Sequence, residues 1–147
     1  MSVLGIDLGL KRSGLAVSGP EGLSVRLLDN LVAKNQKDAV DKILVLVKLY
    51  DVTAVVIGRP PALNKNSETI AMRASSLAEV LTAAAFSDEG LSGLDVILWD
   101  ESYSSKKGMS DLVASGVPRK KRQEKLDAAA AAVLVEEYLS SRMSRTC

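Results

Sequence analysis

Three carboxylates in this chain stand where a carboxylate is costly. Asp7 lies inside the apolar run from Val3 to Leu8. Side chains alternate along a strand, so Val3, Gly5 and Asp7 share one face and Leu4, Ile6 and Leu8 the other. A buried carboxylate needs a cation, a hydrogen-bond donor or water; a strand-end Asp capping the turn at Gly9 is the simpler alternative. Asp100 and Glu101 follow Val96-Ile97-Leu98-Trp99 at the end of a second apolar run, where open α/β sheets place their sites. They point to opposite faces, and alternation does not say which one shares the face of Asp7. Asp127 is followed at i+3, i+4, i+7 and i+11 by Ala130, Ala131, Leu134 and Tyr138, the apolar stripe of a helix. An acid early in a helix is also what the helix dipole favours. Glu136 and Glu137 fall off that stripe and read as solvated.

What is missing narrows the chemistry. The 147 residues contain no histidine and one cysteine, Cys147. Ser-His-Asp and Cys-His sites, haem ligation by histidine and His-containing zinc sites are excluded, as are an intramolecular disulfide and a multi-cysteine cluster. Carboxylates are oxygen ligands and suit Mg²⁺ or Mn²⁺. Clustered together, they would hold two such ions roughly 3.5–4 Å apart, the arrangement of phosphodiester-cleaving sites. One ion would activate water, the other would stabilise the leaving oxygen, and no protein general base would be required.

The elements that must position these acids follow from periodicity. Val3 to Leu8, Leu15 to Val17 and Leu23 to Leu28 read as strands joined by glycine-containing turns, an antiparallel meander. Asn35 to Tyr50 has helical spacing, with Ala39, Ile43, Leu46, Val47 and Tyr50 on one face. Thr53 to Ile57 is a strand stopped by Gly58-Arg59-Pro60-Pro61. Ser67 to Phe86 reads as a helix capped by Ser67 or Asn66, Ser87 to Gly93 as a loop, and Asp95 to Trp99 as a strand. Ser104 to Ala114 reads as a short helix, and Glu124 to Ser141 as the last, alanine-rich one. The later β-α-β-α-β portion implies right-handed crossovers and parallel strands. The expected fold is α/β: a mixed five-stranded sheet, a β1-β2-β3 meander plus parallel strands, with helices on both faces.

Hydrophobic residues are 47% and charged residues 25%, an ordinary globular mix, and the length predicts one domain over 1–147. The longest apolar run, Ala128 to Val135, is far short of the roughly 20 residues of a membrane helix. Met1 to Gly9 lacks a basic leader segment, so no secretory signal is expected. The single cysteine fits a reducing, cytoplasmic location.

Val3-Leu4-Gly5-Ile6-Asp7-Leu8-Gly9 with Lys11-Arg12-Ser13-Gly14-Leu15-Ala16-Val17-Ser18 resembles the opening of the YqgF/RuvX family of RNase H-like nucleases. Val56-Ile57-Gly58-Arg59-Pro60, Leu98-Trp99-Asp100-Glu101 and Lys125-Leu126-Asp127-Ala128-Ala129-Ala130-Ala131 are similar to its later motifs, in order along nearly the whole chain. The resemblance implies an RNase H-like fold. It also implies Asp7, Glu101 and Asp127 as the catalytic, metal-binding triad, thereby choosing Glu101 over Asp100. Members are described as processing the 5′ end of precursor 16S rRNA and as resolvases of Holliday junctions. Two segments depart from the family pattern: Ser102 stands where Arg is common, and Arg59-Pro60-Pro61 replaces the usual Leu-Pro after Gly58.

A basic segment adjoins the last acid. Arg119, Lys120, Lys121, Arg122 and Lys125 surround one acid, Glu124, and would present a phosphate backbone to the metals. Lys11, Arg12 and Arg59 are expected to extend that nucleic-acid surface, with Lys65, Lys106 and Lys107 more remotely. The 19 basic and 18 acidic side chains leave a formal net charge of +1, which fits a localised track rather than a coating. Five aromatic residues offer little base stacking. Trp99 reads as core, and Tyr103 as a packing residue or a stacking one. Structured RNA or a DNA junction is thus the expected partner, with no membrane. No exposed apolar stripe is evident, so a monomer or weak homodimer is expected. Two alternatives keep the acids without this chemistry: an ATP-binding module of the actin and sugar-kinase type, whose phosphate hairpin resembles Asp7 to Gly14, and a catalytically silent RNase H-like binding module.

Overall fold

A computed structural model describes residues 2–19, 24–91, 93–100 and 119–146, with side chains of the last helix described for 128–142. Three strands open the chain: β1 (Ser2–Asp7), β2 (Ser13–Ser18) and β3 (Val25–Leu31). Helix α1 (Gln36–Leu49), β4 (Val52–Arg59), α2 (Lys65–Phe86), a 3-10 turn (Glu89–Leu91), β5 (Asp95–Asp100) and α3 (Arg119–Thr146) follow. The strands form one sheet in the order β3-β2-β1-β4-β5. β1 pairs antiparallel with β2 and parallel with β4, β2 pairs antiparallel with β3, and β4 pairs parallel with β5. This is the mixed five-stranded sheet expected from the sequence, and β1 is its central strand.

The two faces of the sheet carry separate cores. Leu4, Ile6, Leu15, Val17, Val55 and Ile57 pack with Val40, Ile43 and Val47 of α1 and with Ala74, Leu77 and Leu81 of α2. Val3, Ala54 and Val56 pack with Leu134, Val135 and Tyr138 of α3. β1 and β4 are therefore buried on both sides, which is why they read as nearly continuous apolar runs. Alternation sends odd-numbered residues of β1 to the α3 face and even-numbered ones to α1 and α2.

Gly5 fixes how closely α3 approaches. A Cβ there would lie 2.5 Å from the Ala131 carbonyl oxygen and 2.6 Å from Val135 Cγ2. The alanines around Ala131 and the missing side chain at Gly5 let helix and strand backbones meet. Ala128, Ala130, Ala131, Leu134 and Tyr138 are all buried, as the sequence stripe predicts.

Several boundaries differ from the sequence reading. α2 begins at Lys65 and is capped by Asn64, not Asn66 or Ser67. The Asn64 side chain accepts from the Ser67 amide, and the Ser67 hydroxyl accepts from the Asn64 amide, a reciprocal cap built with serine. α3 begins at Arg119, five residues before Glu124, so the basic segment is helical. Asp127 then lies beyond the first turn, where a dipole effect has faded. Glu137 is not merely solvated: it accepts from Trp99 Nε1 at 2.9 Å. Glu136 is exposed as expected. α2 also leaves Met72 and Phe86 exposed, apolar surface that the sequence reading had not expected. The helix read over Ser104 to Ala114 and the start of β3 at Leu23 lie outside the described residues. Among the described residues no helix is long and apolar enough to cross a membrane.

Candidate functional site

Asp7 is the last residue of the central strand and is half-buried. It lies on the α3 face, two positions beyond Gly5. Its register partners are Gly14 on β2 and Gly58 on β4. Paired residues at one register share a face, so neither neighbouring strand puts a side chain beside the Asp7 carboxylate. Two glycines thus flank an acid at the C-terminal edge of the parallel strands, where open sheets bind ligands. Sequence reasoning missed this pair of glycines, because strand register is not written in the sequence.

Contacts at the end of β5 fix the face of Asp100. Trp99 pairs with Gly58 and meets Tyr138 of α3 edge-on, ring centroids 6.2 Å apart at 81°. Trp99 therefore belongs to the α3 face, partly buried against that core as its core reading expected. Asp100 points to the other face, with Val96 and Leu98. There its Oδ1 lies 2.8 Å from Arg59 Nη2 and accepts from Nε at 2.9 Å. Asp100 is thus separated from Asp7 by the sheet and committed to an arginine. Arg59, expected on the nucleic-acid surface, is turned with it towards the α2 side.

The other expected residues fall as follows. Glu101, Tyr103, Lys106 and Lys107 lie outside the described residues, with Glu101 directly after β5. Asp127 lies in α3, one helical turn before Ala131, the residue whose carbonyl meets Gly5. Arg119, Lys120, Lys121, Arg122 and Lys125 occupy the first two turns of the same helix, and Lys65 opens α2. Lys11 and Arg12 form the turn between β1 and β2. Arg12 borders a depression of about 500 Å³ lined also by Leu27, Asp29, Asn30 and Ala128, so one cation of that turn and the residue after Asp127 share a single hollow. Among the described residues no group of three His, Cys, Asp or Glu gathers. The donor set expected at Asp7 is all oxygen and suits a hard divalent cation.

A model of the family described as "RuvX: Holliday junction resolvase" matches residues 1–141. A protein of Syntrophus aciditrophicus named "Putative pre-16S rRNA nuclease" is 34% identical over 96% of this chain and 89% of its own. A Listeria monocytogenes protein of the same name is 35% identical over 96% of this chain and 99% of its own. Among solved structures, Thermus thermophilus RuvC in complex with a Holliday junction substrate superposes with a TM-score of 0.56 at 22% identity, covering 97% of this chain and 96% of that one. The fowlpox virus Holliday junction resolvase gives 0.55 at 18%, covering 96% and 99%. These two likenesses speak to the fold, which is RNase H-like. With the family match running from residue 1 through residue 141, the chain belongs to the RuvX family.

Proposed function

We propose that this protein is a metal-dependent nuclease that trims the 5′ end of precursor 16S rRNA in the cytoplasm, with Asp7, Glu101 and Asp127 as its catalytic, metal-binding acids. The observation that carries this reading is the place of Asp7: half-buried, at the end of the central strand, between Gly14 and Gly58. Two further observations support the other acids. Odd positions of β5 face α3, while Asp100 faces the other way and pairs with Arg59, which speaks for Glu101 over Asp100. The contact of Gly5 with Ala131 sets α3 so that Asp7, about 6–7 Å further along the strand, and residue 127, about 6 Å back along the helix, lie at the same end.

Mg²⁺ or Mn²⁺, two ions in the fullest version, would supply Lewis-acid activation of water and phosphate. The chain's own contribution is positioning. Strand pairing on both sides holds the backbone of Asp7 in place. Arg119, Lys120, Lys121, Arg122 and Lys125 stand at the N-terminal end of α3, where helix amides and cations together favour phosphate, and Arg12 adds a cation beside Ala128. The RNA substrate is suggested by the names of relatives that align along nearly their whole length. The family's own description favours a second reading, resolution of four-way DNA junctions. That reaction needs two symmetric cuts and a C₂ dimer, whereas leader removal needs one active site.

The deciding experiment offers the protein a precursor-rRNA 5′ fragment and a four-way DNA junction side by side in Mn²⁺. Cleavage of the RNA alone is expected. Paired symmetric nicks in the junction would replace the RNA reading with the resolvase one, and no cleavage of either would leave a binding module.

A further inference from the structure

The other face of the sheet carries a cavity apart from the Asp7 site, sharing with the expected nucleic-acid surface only the cations of the β1–β2 turn, Lys11 and Arg12. It is a half-open hollow of about 400 Å³ between the β1–β2 turn, the connection from β3 to α1, and the helices α1 and α2. Among the described residues four cations line it, Lys11, Arg12, Lys34 and Arg73, and no acid does. Its floor is apolar, with Leu31 and Leu77 buried beneath. The walls are tied together: Arg73 Nη1 of α2 donates to the Leu10 carbonyl at 3.1 Å, and Gln36 Nε2 of α1 donates to Ser76 Oγ of α2 at 2.9 Å. Asp38, in the first turn of α1, already accepts from the Lys34 amide and pairs with Lys42. The positive end of α1 opens on the same space.

We propose that this cavity is a second ligand site, which takes a nucleoside 5′-phosphate unit. The volume is that of a small-molecule site. Two guanidinium groups and two ammonium groups match a doubly charged phosphate monoester, which accepts forked hydrogen bonds. A carboxylate or a phosphodiester carries a single charge and meets the four cations less well. The leucine floor suits the sugar and base. The unit can come as a free nucleotide or as the 5′-phosphorylated end of a strand. The site does not depend on the nuclease reading, and its test runs without divalent metal.

The test is equilibrium binding of the full chain in EDTA. The probes are adenosine 5′-monophosphate and a short single-stranded RNA, labelled at its 3′ end and carrying either a 5′-phosphate or a 5′-hydroxyl. The expected result is binding about tenfold tighter with the 5′-phosphate, a gain typical of a charge-assisted contact. Lys34→Gln and Arg73→Gln should each remove most of that gain, while Asp7→Asn should keep it. Lys34 is exposed, so its substitution leaves the fold intact, as an unchanged melting temperature would verify. Displacement of the RNA by the mononucleotide assigns the site to free nucleotides, and a 5′-phosphate preference without displacement assigns it to strand ends. The absence of both mononucleotide binding and 5′-phosphate preference would overturn the site, as would either effect surviving in both variants.

Discussion

Gly5 of β1 and Ala131 of α3 meet backbone to backbone. The Cβ that any other residue would add at position 5 falls 2.5 Å from the Ala131 carbonyl oxygen. No rotamer relieves that contact, so α3 must move outward if residue 5 grows. Asp7 is two residues from this contact and Asp127 four, which makes it the pin that sets their separation. Gly5→Ala should therefore cost about 1–3 kcal/mol in urea unfolding and depress nuclease activity more than stability alone explains. An unchanged unfolding midpoint would show that α3 is not pinned there.

The lone tryptophan reports on the same interface. Trp99 donates to Glu137 and packs edge-on against Tyr138. Glu137→Ala removes the acceptor from a half-buried donor, with an expected cost of about 1 kcal/mol and a red shift of tryptophan emission as water reaches the indole. Glu137→Gln, which keeps an acceptor, should do less on both counts.

Asp100 and Glu101 are adjacent acids with opposite expected roles. Asp100→Asn breaks an exposed pair, Arg59 being 41% and Asp100 78% exposed by side chain, so it should cost about 0.2–1 kcal/mol and leave cleavage intact. Glu101→Gln should abolish cleavage with little change in melting temperature. Reversal of that pattern in a cleavage assay would mean that the wrong acid has been assigned.

Stability should fall on the acid side through two surface carboxylates. The Lys34 amide, with Lys42, holds Asp38 below the ordinary value of 3.8, and Lys48, with the Gly90 amide, does the same for Asp88. A lowered folded-state pKa means that the unfolded chain binds protons first as pH falls. The contribution is present above about pH 4 and fades as pH drops through the folded-state values. Urea midpoints measured from pH 6 to pH 3 should fall less steeply in Asp38→Asn with Asp88→Asn than in the unsubstituted protein.

Much of this was legible from residue order. Asp7 in an apolar strand, the two-sided burial of β1 and β4, and the alanine stripe after Asp127 all follow from periodicity. The start of α3 was not, because Arg119 to Lys125 carries no apolar residue and periodicity is silent there; only the helix propensity of Lys, Arg, Gln and Glu signals it. The cap of α2 was obscured by three eligible residues within four positions, Asn64, Asn66 and Ser67. The face taken by Asp100 needed an absolute reference, which alternation lacks and the Trp99–Tyr138 contact supplies. The glycines beside Asp7 needed strand register, which belongs to tertiary structure.

The most direct test of the metal-dependent site compares the unsubstituted protein with Asp7→Asn on a precursor-rRNA 5′ fragment across a Mn²⁺ titration, with thermal melting of both in EDTA. The expected result is Mn²⁺-dependent cleavage that vanishes in Asp7→Asn. The variant should melt no lower than its parent, since removing an acid from a carboxylate cluster relieves repulsion. Cleavage that persists in a folded Asp7→Asn, or that proceeds undiminished in EDTA, would contradict the assignment of Asp7 and the metal chemistry built on it.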